Sequence, residues 1–204
     1  MVGNDVVDLL DPESRAQSLH ARFDARVFSA DERRSIASSA VPATQRWRLW
    51  AAKEASYKVA RKLAATIPFV PRRFEVSELV DGAQRARVVH GDQIFRVRLE
   101  ESAKFVHAIA QPVEPAEGVL ISGLERLDEA ACRSRDGASP GRAARALACR
   151  EVAALLGVAG EQLEVCSEDR IPRLYVAGRR APADLSLSHH GAFVAFACMR
   201  EASP

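Results

Sequence analysis

Apolar and polar residues alternate loosely from Val2 to Leu10, which predicts a strand. Asp11 through Ala40 is helical in composition, with Ser29 and Glu32 in a capping-box pattern, and Pro42 then breaks the chain. From Thr44 to Ala65 the helical signal is strong, because Trp47, Trp50, Ala51, Ala55, Val59 and Leu63 recur near helical spacing before Pro68 and Pro71 end it. Phe74 to Leu79, Ala86 to His90, Ile94 to Leu99 and Phe105 to Ala110 alternate in period two, with Asp81-Gly82 and Gly91-Asp92 as turn signals, and predict an antiparallel meander.

Gln111 to Gly118 carries two prolines and two glutamates and is the best linker candidate. Beyond it, Val119 to Ser122 reads as a short strand, Gly137 to Gly141 as a loop, and Arg142 to Leu156 as a helix stopped by Gly157. Pro172 to Val176, Leu185 to Ser188 and Phe193 to Met199 read as strands. One faint echo links the halves: Lys104 to Ala110 resembles Ala192 to Ala197, each expected as the last strand of its own sheet. The expected fold is therefore α+β, with two pseudo-symmetric halves, each a helix on a small antiparallel sheet. The boundaries are 1–111 for the first half, 112–118 for the linker and 119–204 for the second half.

Composition narrows the function. Over 204 residues, 48% of them apolar, the chain is long enough to bury a real core. Its 29 basic and 27 acidic residues nearly cancel, so no global field favours nucleic acid or membrane, and an anionic partner must be met locally. Cys132, Cys149, Cys166 and Cys198 are scattered without Cys-x-x-Cys or zinc-like spacing, and read as reduced, mostly buried thiols. Asp5 and Asp8 interrupt the first apolar stretch, unlike a secretory leader, and no stretch has the length and apolarity to span a bilayer. A cytoplasmic protein is expected.

Three places carry candidate chemistry. Asp5 lies in an otherwise apolar strand, where an unpaired charge is costly; with faces alternating, Asp5 and Val7 point one way and Val6 and Asp8 the other, which leaves Asp8 a structural role. Helical spacing puts Trp50, Glu54 and Lys58 in one row, so a carboxylate and an amine share one face. Ser188-His189-His190-Gly191 ends a strand at a glycine turn, where polar side chains reach a ligand. Ser188 and His189 face opposite sides of their strand, which speaks against a hydrolytic dyad. Arg142, Arg145 and Arg150 lie on the second-half helix, and Arg170 and Arg173 flank Pro172; any of these can clamp phosphate, though a solvated face suffices for Arg150. Singly, each place also has a plain structural reading: a capped or arginine-paired Asp5, or a surface Glu-Lys pair worth only a few tenths of a kcal/mol.

Together, Gly3-Asn4-Asp5, Phe28-Ser29-Ala30-Asp31-Glu32, Trp50 to Lys58 and Ser188-His189 resemble the phosphopantetheinyl transferase superfamily. Its pattern is a Gly-x-Asp strand, Phe-x-x-x-Glu, Trp-x-x-Lys-Glu-Ala-x-x-Lys and a Ser-His turn. In the larger, surfactin-type members the Ser-His half comes first; here it comes second, which suggests a circular permutation. The small trimeric holo-acyl-carrier-protein synthases have the order found here but build each site between subunits. Two halves in one chain imply one internal site, a pseudo-dimeric monomer.

The resemblance implies transfer of the 4′-phosphopantetheine of coenzyme A to a serine of an apo acyl or peptidyl carrier protein. Such carriers serve fatty-acid, polyketide or nonribosomal peptide synthesis, and the leaving product is adenosine 3′,5′-bisphosphate. It implies Mg²⁺ on Asp5 and Glu54, phosphate contacts from Lys58, Arg145, Ser188 and His189, and Glu54 as the base, directly or through a water. Two departures stand out. Val7 occupies the position where surfactin-type members carry a second acid, so water is expected there, and Ile171 replaces the lysine before Pro172, leaving its phosphate contact to Arg170 or Arg173. A catalytically silent coenzyme A or nucleotide-binding module is the competing reading, separated by a magnesium-dependent mass gain on an apo carrier. A nucleic-acid binder would instead show steep salt dependence without need for metal, and no aromatics interleave with the arginines to support one.

Overall fold

The computed structural model describes residues 1–77, 79, 84–114, 118–128 and 139–201. The Asp81-Gly82 turn signal, Cys132 and parts of the predicted linker and of the Gly137 to Gly141 loop lie outside the described residues. The fold is α+β with antiparallel sheets.

The first sheet runs in the order β1 (Gly3–Asp8), β5 (Phe105–Pro112), β4 (Gln93–Glu101), β3 (Arg85–His90), β2 (Glu75–Val76), and β2 to β5 form the predicted meander. Before the meander come α1 (Phe23–Val27), α2 (Ala30–Ser38) and the long α3 (Pro42–Leu63). The α3 face that meets the sheet carries Ala51, Ala52, Ala55 and Val59, small residues that allow a close approach to Val7, Val106, Ala108 and Ala110. The closest point is Gly3.

The second sheet runs β10 (Ala183–His190), β11 (Phe193–Glu201), β6 (Gly118–Arg126). Helix α4 (Pro140–Leu156) covers its outer face, packing Ala144, Leu147, Ala148 and Val152 on Val194, Phe196 and Cys198. Gly157, at φ 66°, closes that helix in the left-handed conformation that glycine adopts without strain. The inner faces of the two sheets meet through Val2 and Ile109 on Ala197 and Met199, and through Val6 on Phe193 and Ala195. Side chains thus alternate along β5 and β11 between a helix and the other sheet, as period two requires. A small third sheet holds β7 (Leu163–Glu168), β8 (Ile171–Val176) and β9 (Arg179–Arg180).

At one margin β1 and β10 run side by side without sharing a backbone ladder. Leu9 donates to the Lys104 carbonyl, which assigns the odd amides of β1 to β5 and turns the even ones outward. Those outward amides meet side chains of β10: Val2 N donates to Asp184 Oδ2 at 2.6 Å, Asn4 N to Ser186 Oγ at 2.9 Å and Asp8 N to His190 Nδ1 at 3.1 Å. The matching two-residue steps make this a parallel seam written in side chains.

Several expectations change, among them the short strand at Val119 to Ser122, which is part of the nine-residue β6. Pro42 does not break the chain but opens α3 at its first turn, where a missing N–H costs nothing. Residues 11–40 form two single 3₁₀ turns, Pro12–Ser14 and Ala16–Ser18, and two short helices rather than one helical segment. Helix α4 starts at Pro140, inside the predicted loop, with Ser139 as its cap. Among the described residues no helix is long and apolar enough to cross a membrane.

Candidate active site

Because β1 is buried on both faces, each of its polar side chains needs a partner. Asp5 finds Lys58 of α3, with Nζ 3.0 Å from Oδ1, while the same ammonium donates to the Asn4 carbonyl at 2.8 Å and lies 3.6 Å from Glu54 Oε1. The row Trp50, Glu54, Lys58 predicted from spacing is extended one turn further by Lys62. That buried amine binds Asp184 Oδ2 at 2.9 Å and the carbonyls of Val2 and Leu185, each at 2.7 Å. One helix edge therefore ties β1 to β10.

Two cavities, each about 240 Å³, meet at Glu54. One is lined by Asp5, Trp50, Glu54, His189 and His190, the other by Glu54, Lys58, Arg61, Arg170 and Ser186. The electrostatics of this cleft are tense. Burial pushes the Asp5 carboxyl up to about 7 against the pull of Lys58, and the neighbouring Glu54 charge adds to the rise. Burial alone would lower Lys58, but Asp5 and Glu54 outweigh it and hold the ammonium above the usual lysine range. Burial lowers His189, and the charges of Lys58, His190 and Arg145 lower it further. The charges of α3 and α4 are thus both felt at one imidazole.

The remaining predicted residues are distributed as follows. Arg145 holds the Gly141 carbonyl at 2.9 Å, with its charge felt at His189. Arg170 sits at the β7–β8 turn with φ of 62° and lines the second cavity. Arg173 turns toward Glu168, at 3.8 Å, and is absent from both cavity linings. Ser188 is buried in the seam, where its hydroxyl accepts from Asn4 Nδ2 at 2.8 Å. Val7 packs into the core beside α3. Asp8 accepts from Ala192 N at 3.0 Å and caps the turn after β10.

Asn4, Arg61 and Lys62 also reach the seam or the cleft, and the sequence motifs assign none of them there. Asn4 is wholly buried and reaches both Ser188 and His107 Nε2, the latter at 3.2 Å. Its partners lie more than a hundred positions away, so no local pattern could reveal it. Lys62 was within reach of the helical row, one turn beyond Lys58.

Among the described residues no group of three or more His, Cys, Asp or Glu stands ready for a metal. Asp5 and Glu54 nevertheless offer two hard oxygen donors on one cavity, beside the Lys58 ammonium that they share. That donor set fits a hard cation that takes its other ligands from water and substrate.

Two acids around a lysine thus share a cleft with His189 of β10 and Arg170 of the β7–β8 turn. The family model of the 4′-phosphopantetheinyl transferase superfamily matches residues 1–110, and the chain belongs to that superfamily of transferases. No curated protein matches the chain. The matched segment holds Asp5, Glu54 and Lys58, whereas Arg145, Arg170 and His189 lie beyond it.

Proposed function

We propose that the chain transfers the 4′-phosphopantetheine of coenzyme A to a serine of an apo acyl or peptidyl carrier protein, within a single site formed between two related halves of a monomer. The observation that carries this reading is the convergence of Asp5, Glu54 and Lys58 with His189 around one cleft. Strand order supports the relation between halves: in each large sheet the last strand in the chain, β5 or β11, lies between the half's first strand and its penultimate one.

Lys58, Arg145 and His189 hold the phosphates, and Arg170 takes the position at the cleft mouth in preference to Arg173. Charge and positioning then supply most of the rate, as in other phosphoryl transfers. Mg²⁺ held by Asp5 and Glu54 would offset the charge of the pyrophosphate. Glu54 takes the proton of the carrier serine as its oxygen bonds to the phosphorus bearing pantetheine and the bond to adenosine 3′,5′-bisphosphate breaks. Ser188 acts through Asn4, fixing β1 where Asp5 is needed.

Mass spectrometry of apo carriers incubated with coenzyme A and Mg²⁺ tests the proposal directly. A magnesium-dependent phosphopantetheine gain, lost in Glu54→Gln with the fold retained, is expected. Coenzyme A binding without any gain across carriers of fatty-acid, polyketide and peptide synthesis would instead make this a silent binding module.

A further inference from the structure

A cavity of about 650 Å³, larger than either at the cleft, lies on the other face of the first sheet. Its walls carry Arg85 and Arg87 from β3, Arg96 and Arg98 from β4, and the aliphatic side chains of Ile109 and Leu120. The register sets Arg85 directly opposite Arg98 and Arg87 directly opposite Arg96. Like charges directly opposite on one sheet face destabilise a strand pair, and here two such pairs stand in succession. Nothing in the meander's core requires them, since Ala86, Val88, Val97 and Leu99 on the alternate face do the packing against α3.

The arginines are also partly preorganised. Arg96 donates to the Val113 carbonyl just beyond β5, and Arg98 reaches across to Ser122 Oγ of β6 at 3.0 Å. Each guanidinium has five N–H donors, so these contacts leave others to face the cavity. Glu100, 3.1 Å from Arg98, offsets part of the charge, and Arg87 has an interaction of its own, so the charge of the cavity rests on Arg85, Arg96 and Arg98. Exposed arginines at Arg85, Arg96 and Arg98 keep the trough open to solvent and electropositive.

We propose that this trough binds an acidic, amphipathic polypeptide segment, with carboxylates on the two arginine rows and apolar side chains against Ile109, Val113 and Leu120. The rows are two residues apart along the strands, roughly 7 Å. That spacing suits carboxylates at alternate positions of an extended segment or one turn apart on a helix. A small phosphate ligand would satisfy the guanidinium forks but leave the aliphatic wall without a role, which is why a polypeptide is favoured. The site is separate from the cleft, and the inference stands whether or not the transfer reading does.

Fluorescence anisotropy with a labelled synthetic amphipathic peptide of glutamate, leucine and alanine tests it, beside the same peptide with glutamine for glutamate and beside inorganic tripolyphosphate as competitor. Saturable binding of the acidic peptide is expected, weakening as salt rises and falling roughly tenfold or more in Arg85→Glu and further in Arg85→Glu/Arg98→Glu. Coenzyme A affinity, measured on the same variants, should stay as in the parent, and the melting temperature should not fall, since Arg85→Glu faces Arg98 across the strands; together these exclude a folding defect. Failure of the acidic peptide to bind, equal binding of the glutamine peptide, or insensitivity to both variants would overturn the proposal. So would tripolyphosphate binding at these arginines where the peptide does not, which would mark a small-anion site.

Discussion

A Cβ placed on Gly3 would stand 2.1 Å from the carbonyl oxygen of Ala55 and 3.0 Å from Val59 Cγ2. Both neighbours belong to the middle of α3, where backbone cannot give way cheaply. This contact holds β1 against the helix closely enough for Asp5 to meet Lys58. Gly3→Ala should therefore push strand and helix apart, cost about 1–3 kcal/mol of stability, and reduce transfer more than stability alone explains. Denaturant melts and single-turnover transfer on the folded variant measure the two effects; an unchanged melt would show that the helix can shift without penalty.

Lys53 belongs to the same sequence motif as Glu54 and Lys58 yet has a different role. It is fully buried, with Nζ 2.8 Å from Glu32 Oε2, 2.6 Å from the Phe74 carbonyl and 3.2 Å from that of Pro71. Glu32 is satisfied in turn by the amides of Ser29 and Val76, at 2.8 and 2.7 Å. Removing one member of a buried pair strands the other, so Lys53→Met should lose about 3–5 kcal/mol. The folded fraction should still bind coenzyme A with parental affinity. Chemical denaturation beside coenzyme A titration checks this, and a loss of affinity without loss of stability would move Lys53 into the site.

Asp5 links the cleft to pH. Its carboxyl is raised from 3.8 to about 7, so the folded state holds the proton more tightly than the unfolded chain does. The sign follows: the contribution of Asp5 to stability is complete below about pH 4 and disappears as pH rises through 7. A bound divalent cation should reverse the loss by favouring the charged form, with affinity rising through the same range as the competing proton leaves. Melting temperatures of the parent and Asp5→Asn, with and without Mg²⁺, measure both trends. The expected result is a Mg²⁺-dependent gain that grows above pH 7 in the parent and is absent in the variant.

Where the placement of a side chain depends on spacing along one element, the sequence suffices to give it. Glu54 and Lys58 are one helical turn apart, and Asp5 was assigned to the face opposite Val6 by strand alternation, as found. The prediction of α4 and its stop at Gly157 likewise rested on local signals. Long-range pairings were not legible in this way. Asn4 was the unassigned middle of a three-residue motif, and its polar partners come from β5 and β10. Strand β7 went unread because Leu163 to Glu168 mixes short, acidic and thiol side chains, with little β-branched content to mark it. Pro42 carried opposite meanings at a helix interior and at a first turn, and only the tertiary setting distinguishes them.

The seam between β1 and β10 has a consequence for the chain's solubility. An outer strand with unsatisfied amides is a template for pairing with another copy, and such edges are commonly blunted by charge or covered. Here the covering is done by Asp184, Ser186 and His190, residues far along the chain. A fragment ending near residue 111 would bare that edge and should stack into oligomers, so the later residues act as an intramolecular chaperone for the first strand as well as supplying one wall of the cleft.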